Sequence, residues 1–400
     1  MTSLTTKDIE TVVARAVGSE VKIVDHSLEP FAKLKTGCLG GHLLLTIRFK
    51  RGSNNCEESQ TFFVKTMPDS QVILDTFMDD SMFADEANFY ENVAPLLIKE
   101  YNSDGWSPKC YLVNSNALVF EDLRIQGYTI SPDHYLDESL LKAALTSLAH
   151  FHASTMLAEH RLGKTLREIF PNAFVEKLFD NHGKFAKNIP VGFDAIKKMI
   201  EKFGMDSSLV PKMKDRIWEF TKMRKGKCNV LCHGDLWLNN LMFKNHGSVK
   251  CVMVDYQFLR YTSPFVDVSM LIYLHTTPEY RKKSELDFVE HYYWVLHDTL
   301  LQGSVKPPIP SYESMLRDYK DYRLIGMILG LLYLPGLYLP SDVLEEIHNN
   351  PEEMKNWFMG DRFGVIGFHL DTVPTYEKKL KSMVVELMEE AKIVFDARSV

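Results

Sequence analysis

The chain has 400 residues, of which 45% are hydrophobic and 25% are charged, a balance that predicts a folded protein with two domains or two lobes. Its formal net charge of −7 argues against a general nucleic-acid binder, because phosphate contacts need clustered Lys and Arg. The six cysteines form no Cys-x-x-Cys pair and residues 1–16 carry charges at helical spacing, so we expect a cytoplasmic protein without a secretory signal. The longest apolar run, residues 324–339, predicts a buried helix that ends at Pro335 and no membrane span.

The N-terminal third of the chain has the pattern of an antiparallel sheet. Residues 1–20 predict an amphipathic helix capped by Thr5 or Thr6. Short β-prone runs bounded by turn residues follow, and a glycine-bearing connection over residues 36–41 separates the first two. The predicted strands are 21–24, 43–49, 61–65, 109–113 and 117–120, with one helix over 79–92 between the third and the fourth.

Beyond residue 123 the hydrophobic period becomes helical for most of the chain. The exception is a β-hairpin predicted from two apolar runs, 240–243 and 250–254, which a polar turn joins. The chain therefore predicts an α+β protein, with an antiparallel sheet first and a mainly helical part after it. The predicted helices are 138–156, 265–276, 284–302, 311–334, 341–348 and 372–396.

Three polar residues flank this hairpin: Asp235 and Asn240 precede it or begin it, and Asp255 follows it. Phosphoryl transfer needs Mg²⁺ to neutralise the phosphates and a group that takes the proton of the acceptor hydroxyl. Asp235, on a loop, suits the second task, whereas Asn240 and Asp255 offer the hard oxygen ligands that Mg²⁺ prefers. Taken singly, each residue favours a polar loop or a strand-end cap. Together, with the hairpin between them, they predict a phosphotransferase site.

A lysine and a glutamate upstream predict the nucleotide side of such a site. Lys65 ends the third predicted strand among apolar neighbours, and Glu86 lies in the helix that follows. Kinase-type sites use a strand lysine that contacts the α- and β-phosphates and pairs with a helix glutamate. Glu91 is the rival partner, but the apolar residues around Glu86 favour Glu86. The structural alternative is an exposed edge lysine and a solvated glutamate.

Two further segments are candidates for contact with the nucleotide. Gly37 and Gly40 lie in the connection between the first two strands, where glycine lets backbone N–H groups approach phosphates; a plain flexible turn is the alternative. Glu121 and Leu123 lie where the sheet gives way to helices. This position alone suggests that their backbone binds an adenine edge.

Other polar residues are expected to support the site. Asp267 follows Asp255 by twelve residues and begins an apolar helix, so we expect it to brace the Asp235 loop through backbone N–H groups. His233 is expected to hydrogen-bond the same loop. His152, on the apolar face of its helix, is expected to be a core histidine. Trp237 either packs in the core or forms a wall of the acceptor pocket.

The stretch His-Gly-Asp-Leu-Trp-Leu-Asn-Asn at 233–240, with Val-Asp-Tyr-Gln at 254–257, resembles the ecdysteroid-kinase-like (CHK-kinase-like) family. This family is part of the aminoglycoside-phosphotransferase and choline-kinase group of protein-kinase-like enzymes. Over residues 20–345 the resemblance implies a bilobal protein-kinase-like fold, with a nucleotide-binding lobe of residues 1–122 and a catalytic and acceptor-binding lobe of residues 123–400. Supporting matches lie at 83–90, 118–123 and 148–153.

The resemblance also implies the chemistry, which is the use of ATP and Mg²⁺ to phosphorylate a hydroxyl group of a small molecule. Carried over to this sequence, it makes Asp235 the catalytic base and assigns Mg²⁺ to Asn240 and Asp255. In the same way, Lys65 holds the phosphates and Glu86 orients Lys65.

One feature of this sequence departs from relatives of the group, and another separates it from protein kinases. Leu39 and His42 stand beside Gly40-Gly41, where such enzymes usually carry small or polar residues. There is no Asp-Phe-Gly sequence and no long segment between Asp255 and Asp267. An activation loop has no room there, which argues against a protein kinase.

The acceptor has to be recognised largely by the later helices, which carry many aromatic and apolar side chains. A choline site needs aromatic walls with acidic residues near the cation, and a steroid site needs a large apolar cavity. The apolar surplus favours an ecdysteroid or another lipophilic alcohol; the alternatives are a choline- or aminoglycoside-type kinase and a catalytically silent nucleotide- or steroid-binding protein. No nucleic-acid partner is expected, and the sequence does not indicate a protein partner. The side chains concerned are Tyr292, Tyr293, Trp294, Leu329, Leu332, Tyr333 and Leu337.

Overall fold

The computed structural model confirms the α+β class, because an antiparallel sheet forms the N-terminal part and helices form most of the rest. The first helix, α1, spans Thr6–Ala16 and has Thr5 as its N-cap. Thr5 and Asp8 form a reciprocal capping box, which satisfies N–H groups that the first helical turn leaves unpaired. The structure describes residues 4–31, 40–52, 56–68, 74, 80–99, 105–179 and 184–396.

A five-stranded sheet follows α1 in the chain. Its strands are β1 (Val21–Pro30), β2 (Gly41–Arg51), β3 (Glu57–Thr66), β4 (Cys110–Val113) and β5 (Ala117–Glu121). They lie in the order β1-β2-β3-β5-β4, and every neighbouring pair is antiparallel. On one face, Ile9 and Val12 of α1 pack with Leu45 of β2 and Phe62 of β3 in a separate apolar cluster. This packing fixes β3, the strand that carries Lys65, in the middle of the sheet.

The predicted helix over residues 79–92 is divided into three parts, which are α2 (Asp80–Asn88), a π-helical turn (Phe89–Val93) and α3 (Ala94–Ile98). The wider π-helical turn lets two consecutive aromatic side chains face the core. Phe89 stacks on Tyr256 with ring centroids 4.5 Å apart. Tyr90 meets Phe120 of β5 edge-on at 4.8 Å. Through these aromatic contacts, the π-helical turn packs the five-stranded sheet against the segment that follows Asp255.

Helices form most of the chain beyond residue 122, and short strands interrupt them around the Asp235 loop. The helices are α4 (Glu138–Leu162), α5 (Leu166–Ile169), α6 (Asn188–Lys202), α7 (Val210–Phe220), α8 (Phe265–His275), α9 (Pro278–Gln302), α10 (Tyr312–Leu337), α11 (Ser341–Asn349), α12 (Pro351–Met359), α13 (Arg362–Thr372) and α14 (Pro374–Asp396). The strands are β6 (Val230–Cys232), β7 (Leu241–His246), β8 (Ser248–Met253) and β9 (Arg260–Thr262). Single 3₁₀ turns span Leu123–Gln126, Lys184–Lys187 and Leu238–Asn240. The sequence pattern did not predict α5, α6, α7, α12 or α13.

The predicted end of the long apolar helix at Pro335 is wrong. Helix α10 contains Pro335 and ends at Leu337. Pro335 has no N–H to donate to the carbonyl of Leu331, so the helix lacks one backbone bond there and ends two residues later. The hydroxyl of Tyr376 in α14 also donates to the Pro335 carbonyl at 2.7 Å, which anchors this helix end.

Helix α10 contains the most apolar stretch of the chain. In the part of the chain that the structure describes, no single helix meets the length and hydropathy needed to cross a membrane. Among the described helices, α10 and α11 reach that length and hydropathy only when taken together. Their axes are bent by 93° at the break between them.

Two small sheets frame the loop that carries Asp235. Strand β6, just before the loop, pairs with β9, and β7, just after it, forms the predicted hairpin with β8. Thr129 and Phe243 exchange backbone hydrogen bonds of 2.8 and 2.7 Å. These bonds hold the hairpin against the segment that follows β5. The Asp235 loop therefore faces the edge of the five-stranded sheet.

We expect Gly326→Ala to lower the free energy of unfolding by about 1–3 kcal/mol. A Cβ at this position of α10 would lie 2.3 Å from Cδ2 of Tyr273, a buried ring of α8. Gly330→Ala, one turn along the same helix, is the matched control because its Cβ would meet the flexible end of Met383 at 3.3 Å. Urea unfolding measures both variants, and equal losses would contradict the close approach of α8 and α10.

Candidate active site

Lys65 of β3 lies between two carboxylates. Its Nζ donates to Oε2 of Glu86 at 2.5 Å and to Oδ1 of Asp255 at 2.6 Å. The other oxygen of Glu86 accepts from the backbone N–H of Tyr256 at 3.2 Å, whereas Glu91 is exposed. Burial alone lowers the pKa of Lys65, but the charges of Asp255 and Glu86 outweigh it and raise the pKa above its ordinary value. The lysine is therefore fixed and charged before any ligand arrives.

Asp235 lies on the loop that follows β6, and the turn before it requires glycine. Gly234 has φ +84°, and a Cβ there would lie 2.3 Å from the carbonyl oxygen of Phe258. Nη2 of Arg260 donates to the Gly234 carbonyl at 2.9 Å. The chain therefore turns sharply and presents Asp235 to the cavity described below.

The carboxylate of Asp235 accepts two side-chain hydrogen bonds. Its Oδ1 accepts from the hydroxyl of Tyr333 at 3.0 Å, and its Oδ2 accepts from Nδ2 of Asn240 at 3.1 Å. Burial, with help from the negative charge of Asp255, raises the pKa of Asp235 to about 7, and the bonds from Tyr333 and Asn240 oppose the rise. A carboxylate with this pKa can take and release a proton near neutral pH.

Asp267, in the first turn of α8, braces the loop from beneath. Its Oδ2 accepts from the backbone N–H of His233 at 2.6 Å, and its Oδ1 accepts from that of Gly234 at 3.0 Å. Nε2 of His152 lies 3.3 Å from Oδ2, and Nδ1 of His152 lies 2.8 Å from the hydroxyl of Tyr292. Burial by itself raises the pKa of Asp267, but His152 and the bonds to the loop lower it below the ordinary value. The brace is thus a buried carboxylate held in its ionised form.

The hairpin holds Asn240 and Asp255 together across its ends. The backbone N–H of Val254 donates to the Asn240 carbonyl at 3.0 Å. Nδ1 of His233 accepts from the backbone N–H of Asp235 at 3.3 Å, so Nε2 carries the proton and donates to the Val254 carbonyl at 2.9 Å. Asp255 itself has φ +69°, a left-handed conformation that aspartate tolerates better than most residues.

The side chains of Lys65, Asp235 and Asp255 line one cavity of about 830 Å³ between the sheet and the helices. On the sheet side, Gly40, Glu121 and Leu123 also line it. Gly37 lies outside the described residues. Trp237 lines the cavity beside Asp235, so it forms part of the wall. The cavity brings together Lys65, Glu86, Asp235, Asn240 and Asp255.

Sequence reasoning missed two residues that contact the loop. The sequence pattern places Tyr333 among the aromatic and apolar residues of the later helices, yet its hydroxyl contacts the Asp235 carboxylate. Arg260 holds the Gly234 carbonyl, and its Nη1 lies 2.9 Å from Oε2 of Glu176. Tyr333 lies 98 residues from Asp235 in sequence, so no local spacing could have indicated the contact.

A lysine on a central strand, a helix glutamate and loop carboxylates around one cavity form the architecture of a protein-kinase-like phosphotransferase. The family model described as the ecdysteroid kinase-like family matches residues 42–303. The chain belongs to this family, and the family resemblance in the sequence is confirmed.

The chain is also similar to individual proteins. An uncharacterised kinase-like protein of Caenorhabditis elegans is 24% identical over 183 residues, 44% of this chain and 46% of that protein, so the match spans about half the length of this relative. The ethanolamine kinase of Plasmodium vivax has 11% identity and a TM-score of 0.42, covering 93% of this chain and 89% of that one. Choline kinase LicA of Streptococcus pneumoniae has 14% identity and a TM-score of 0.40, covering 95% and 98% respectively.

Proposed function

We propose that this protein transfers the γ-phosphoryl group of ATP to a hydroxyl group of a small lipophilic molecule, with an ecdysteroid or another steroid alcohol as the candidate acceptor. One observation carries the proposal. Lys65, bound to Glu86 and Asp255, shares a cavity with Asp235 and Asn240. A strand lysine for phosphates and a loop carboxylate for the acceptor proton are the two parts that phosphoryl transfer requires.

In this proposal each residue of the site has one task. Lys65 binds phosphate oxygens, and Glu86 holds its Nζ in place at 2.5 Å. Asp235 orients the acceptor hydroxyl and takes its proton, for which its pKa of about 7 is suited. The proton leaves the acceptor oxygen as that oxygen bonds to the γ-phosphorus, and ADP departs with the electron pair of the broken bond. Gly40, Glu121 and Leu123 are proposed to contact the nucleotide from the sheet side.

The residues proposed for Mg²⁺ fit this ion. Nδ2 of Asn240 donates to the backbone carbonyl and to Oδ2 of Asp235, which leaves the amide oxygen of Asn240 as the atom that can bind a cation. Asp255 adds a carboxylate on the same cavity, so the donor set consists of hard oxygens. When bound there, Mg²⁺ would neutralise charge on the phosphates.

The acceptor side of the cavity supports a lipophilic molecule. Phe179, Leu332, Leu337 and Trp357 line it, and apolar walls of this kind suit a lipophilic ligand. Choline- or aminoglycoside-type kinases, the alternative within the same chemistry, would need carboxylates beside a cationic acceptor. On this side the described lining offers Glu345, which is exposed.

We propose that the two parts of the chain carry out different tasks. Residues 1–122 form the nucleotide-binding lobe, and residues 123–400 form the catalytic and acceptor-binding lobe. We also propose a cytoplasmic location, which the free thiols of the described cysteines support. ATP is abundant in that compartment, as the reaction requires.

The direct test is turnover. Purified protein is incubated with ATP, Mg²⁺ and a panel of steroid, other lipophilic and cationic alcohols, and the phosphorylated products are identified by mass spectrometry. We expect product from lipophilic alcohols. Product from cationic alcohols alone would favour the choline-type alternative. Thermal stabilisation by ATP and Mg²⁺ without any product would instead favour a silent binding protein.

Lys65→Met should lower kcat/KM by about 10²–10³-fold and abolish the thermal stabilisation by ATP. The substitution removes the cation that Glu86 and Asp255 hold toward the phosphates. Lys250→Met, on the exposed side of β8, is the matched control and should behave as wild type. Undiminished stabilisation by ATP in Lys65→Met would show that Lys65 does not bind the nucleotide.

A further inference from the structure

In the described ranges of the chain, buried Lys and Arg side chains have carboxylate partners, with one exception. Among the described residues, the buried Lys and Arg side chains are Lys65, Arg260, Arg281 and Arg362. Lys65 pairs with Glu86, Arg260 with Glu176 at 2.9 Å and Arg281 with Glu386 at 2.5 Å. Arg362 forms no ion pair with any described carboxylate, although its exposed fraction is only 5%.

Arg362 is held in place by neutral groups instead. Its Nε donates to the Trp357 carbonyl at 3.0 Å, its Nη1 to the Leu332 carbonyl at 3.3 Å and its Nη2 to Oδ1 of Asn188 at 2.5 Å. A guanidinium has five N–H donors, so each terminal nitrogen keeps one donor free. Burial lowers the pKa of Arg362 to about 10, which still leaves it protonated at neutral pH.

Arg362 lines the acceptor side of the cavity. Arg362, Asn188 and Leu332 all line it, and Leu332 is the neighbour of Tyr333, whose hydroxyl contacts Asp235. Arg362 thus contacts the carbonyl of Leu332, and the next residue, Tyr333, contacts the proposed base. An acceptor that fills this part of the cavity meets both groups.

An unpaired buried charge is costly, and a ligand that supplies the opposite charge recovers that cost. We propose that the acceptor is a lipophilic alcohol that also carries an anionic oxygen group, such as a carboxylate, which Arg362 and Asn188 bind while the hydroxyl meets Asp235. The proposal rests on the proposed function and narrows its substrate class. The two free N–H donors match the two oxygens of a carboxylate.

The test compares two probes that differ in one charge, a hydroxysteroid with a carboxylate side chain and its methyl ester. Their Kd values are measured by calorimetry, and turnover is followed in parallel, for the wild type, Arg362→Gln and Arg362→Lys. We expect the wild type to bind the acid about tenfold or more tightly than the ester. Arg362→Gln should reduce this ratio to about threefold or less, and Arg362→Lys, which keeps the charge but not the fork, should retain part of it.

The ratio is taken within one variant, so a loss of folded protein affects both probes equally. Arg281→Gln is the matched control, because it removes a buried arginine that does not line the cavity and should leave the ratio unchanged. Equal binding of acid and ester by the wild type, failure to bind either, or survival of the ratio in Arg362→Gln would overturn the proposal. A retained ratio without turnover would count against the proposed function and leave the anion subsite standing.

Discussion

Asp235→Asn should lower kcat by about 10²–10⁴-fold, because it removes the group that takes the proton of the acceptor hydroxyl. The amide keeps the shape of the side chain, and its oxygen can still accept the bond from Tyr333. The change is measured as ADP release under saturating ATP and acceptor. Full activity in this variant would show that Asp235 is not the base.

The same substitution should also change how stability depends on pH, and the sign follows from the pKa. Burial raises the pKa of Asp235 from 3.8 to about 7, so the folded protein disfavours the ionised form. Stability is therefore lost as the pH rises from about 4 through 7, where the unfolded chain releases this proton more readily. Asp235→Asn removes this loss, so its melting temperature relative to the wild type should increase with pH over that interval.

A matched control separates this effect from general changes of charge. Asp298→Asn removes a carboxylate whose side chain is 65% exposed in α9 and should alter neither kcat nor the pH dependence of melting. If the melting temperature of Asp235→Asn relative to the wild type does not increase with pH, the pKa of Asp235 is not raised in the folded protein. The combination of lost activity and retained stability is typical of catalytic groups held in an unfavourable environment.

The local parts of the site were predictable because short stretches of sequence determine them. Asn240 and Asp255 lie at the two ends of one hairpin, so pairing of its strands brings them together, and Asp235 precedes Asn240 by only five residues. The pairing of Lys65 with Glu86 needed one further assumption, that the helix after β3 packs on the sheet. The phase of that helix distinguishes Glu86 from Glu91, and the apolar residues around Glu86 indicated it.

The acceptor side could not be predicted, because contacts between distant helices build it. Tyr333 reaches Asp235 only through the packing of α10, and Arg362 reaches the cavity from the start of α13. Periodicity gives the apolar face of a helix but does not tell a lining tyrosine from a core tyrosine. The π-helical turn at Phe89–Val93 was missed for a related reason, since its extra residue per turn is set by the aromatic stack on Tyr256.

Asp267 ties the Asp235 loop to helix α8, and its loss should affect both stability and activity. We expect Asp267→Ala to lower the free energy of unfolding by about 3–5 kcal/mol, because it leaves the backbone N–H groups of His233 and Gly234 buried without an acceptor. His152 loses its partner in the same step. The variant should also lose turnover at temperatures where it remains folded, since the turn that presents Asp235 is no longer tied to α8.

The contrast with Asp235→Asn makes this prediction specific. One carboxylate has a pKa raised by burial and is expected to cost stability, whereas the other has a pKa lowered by its donors and is expected to supply stability. Urea unfolding measures the difference, and Asp287→Ala, an exposed aspartate of α9, is the control that should change little. If Asp267→Ala unfolds at the same urea concentration as the wild type, the β6–β9 pairing alone holds the Asp235 loop. Asp267 would then have no structural role.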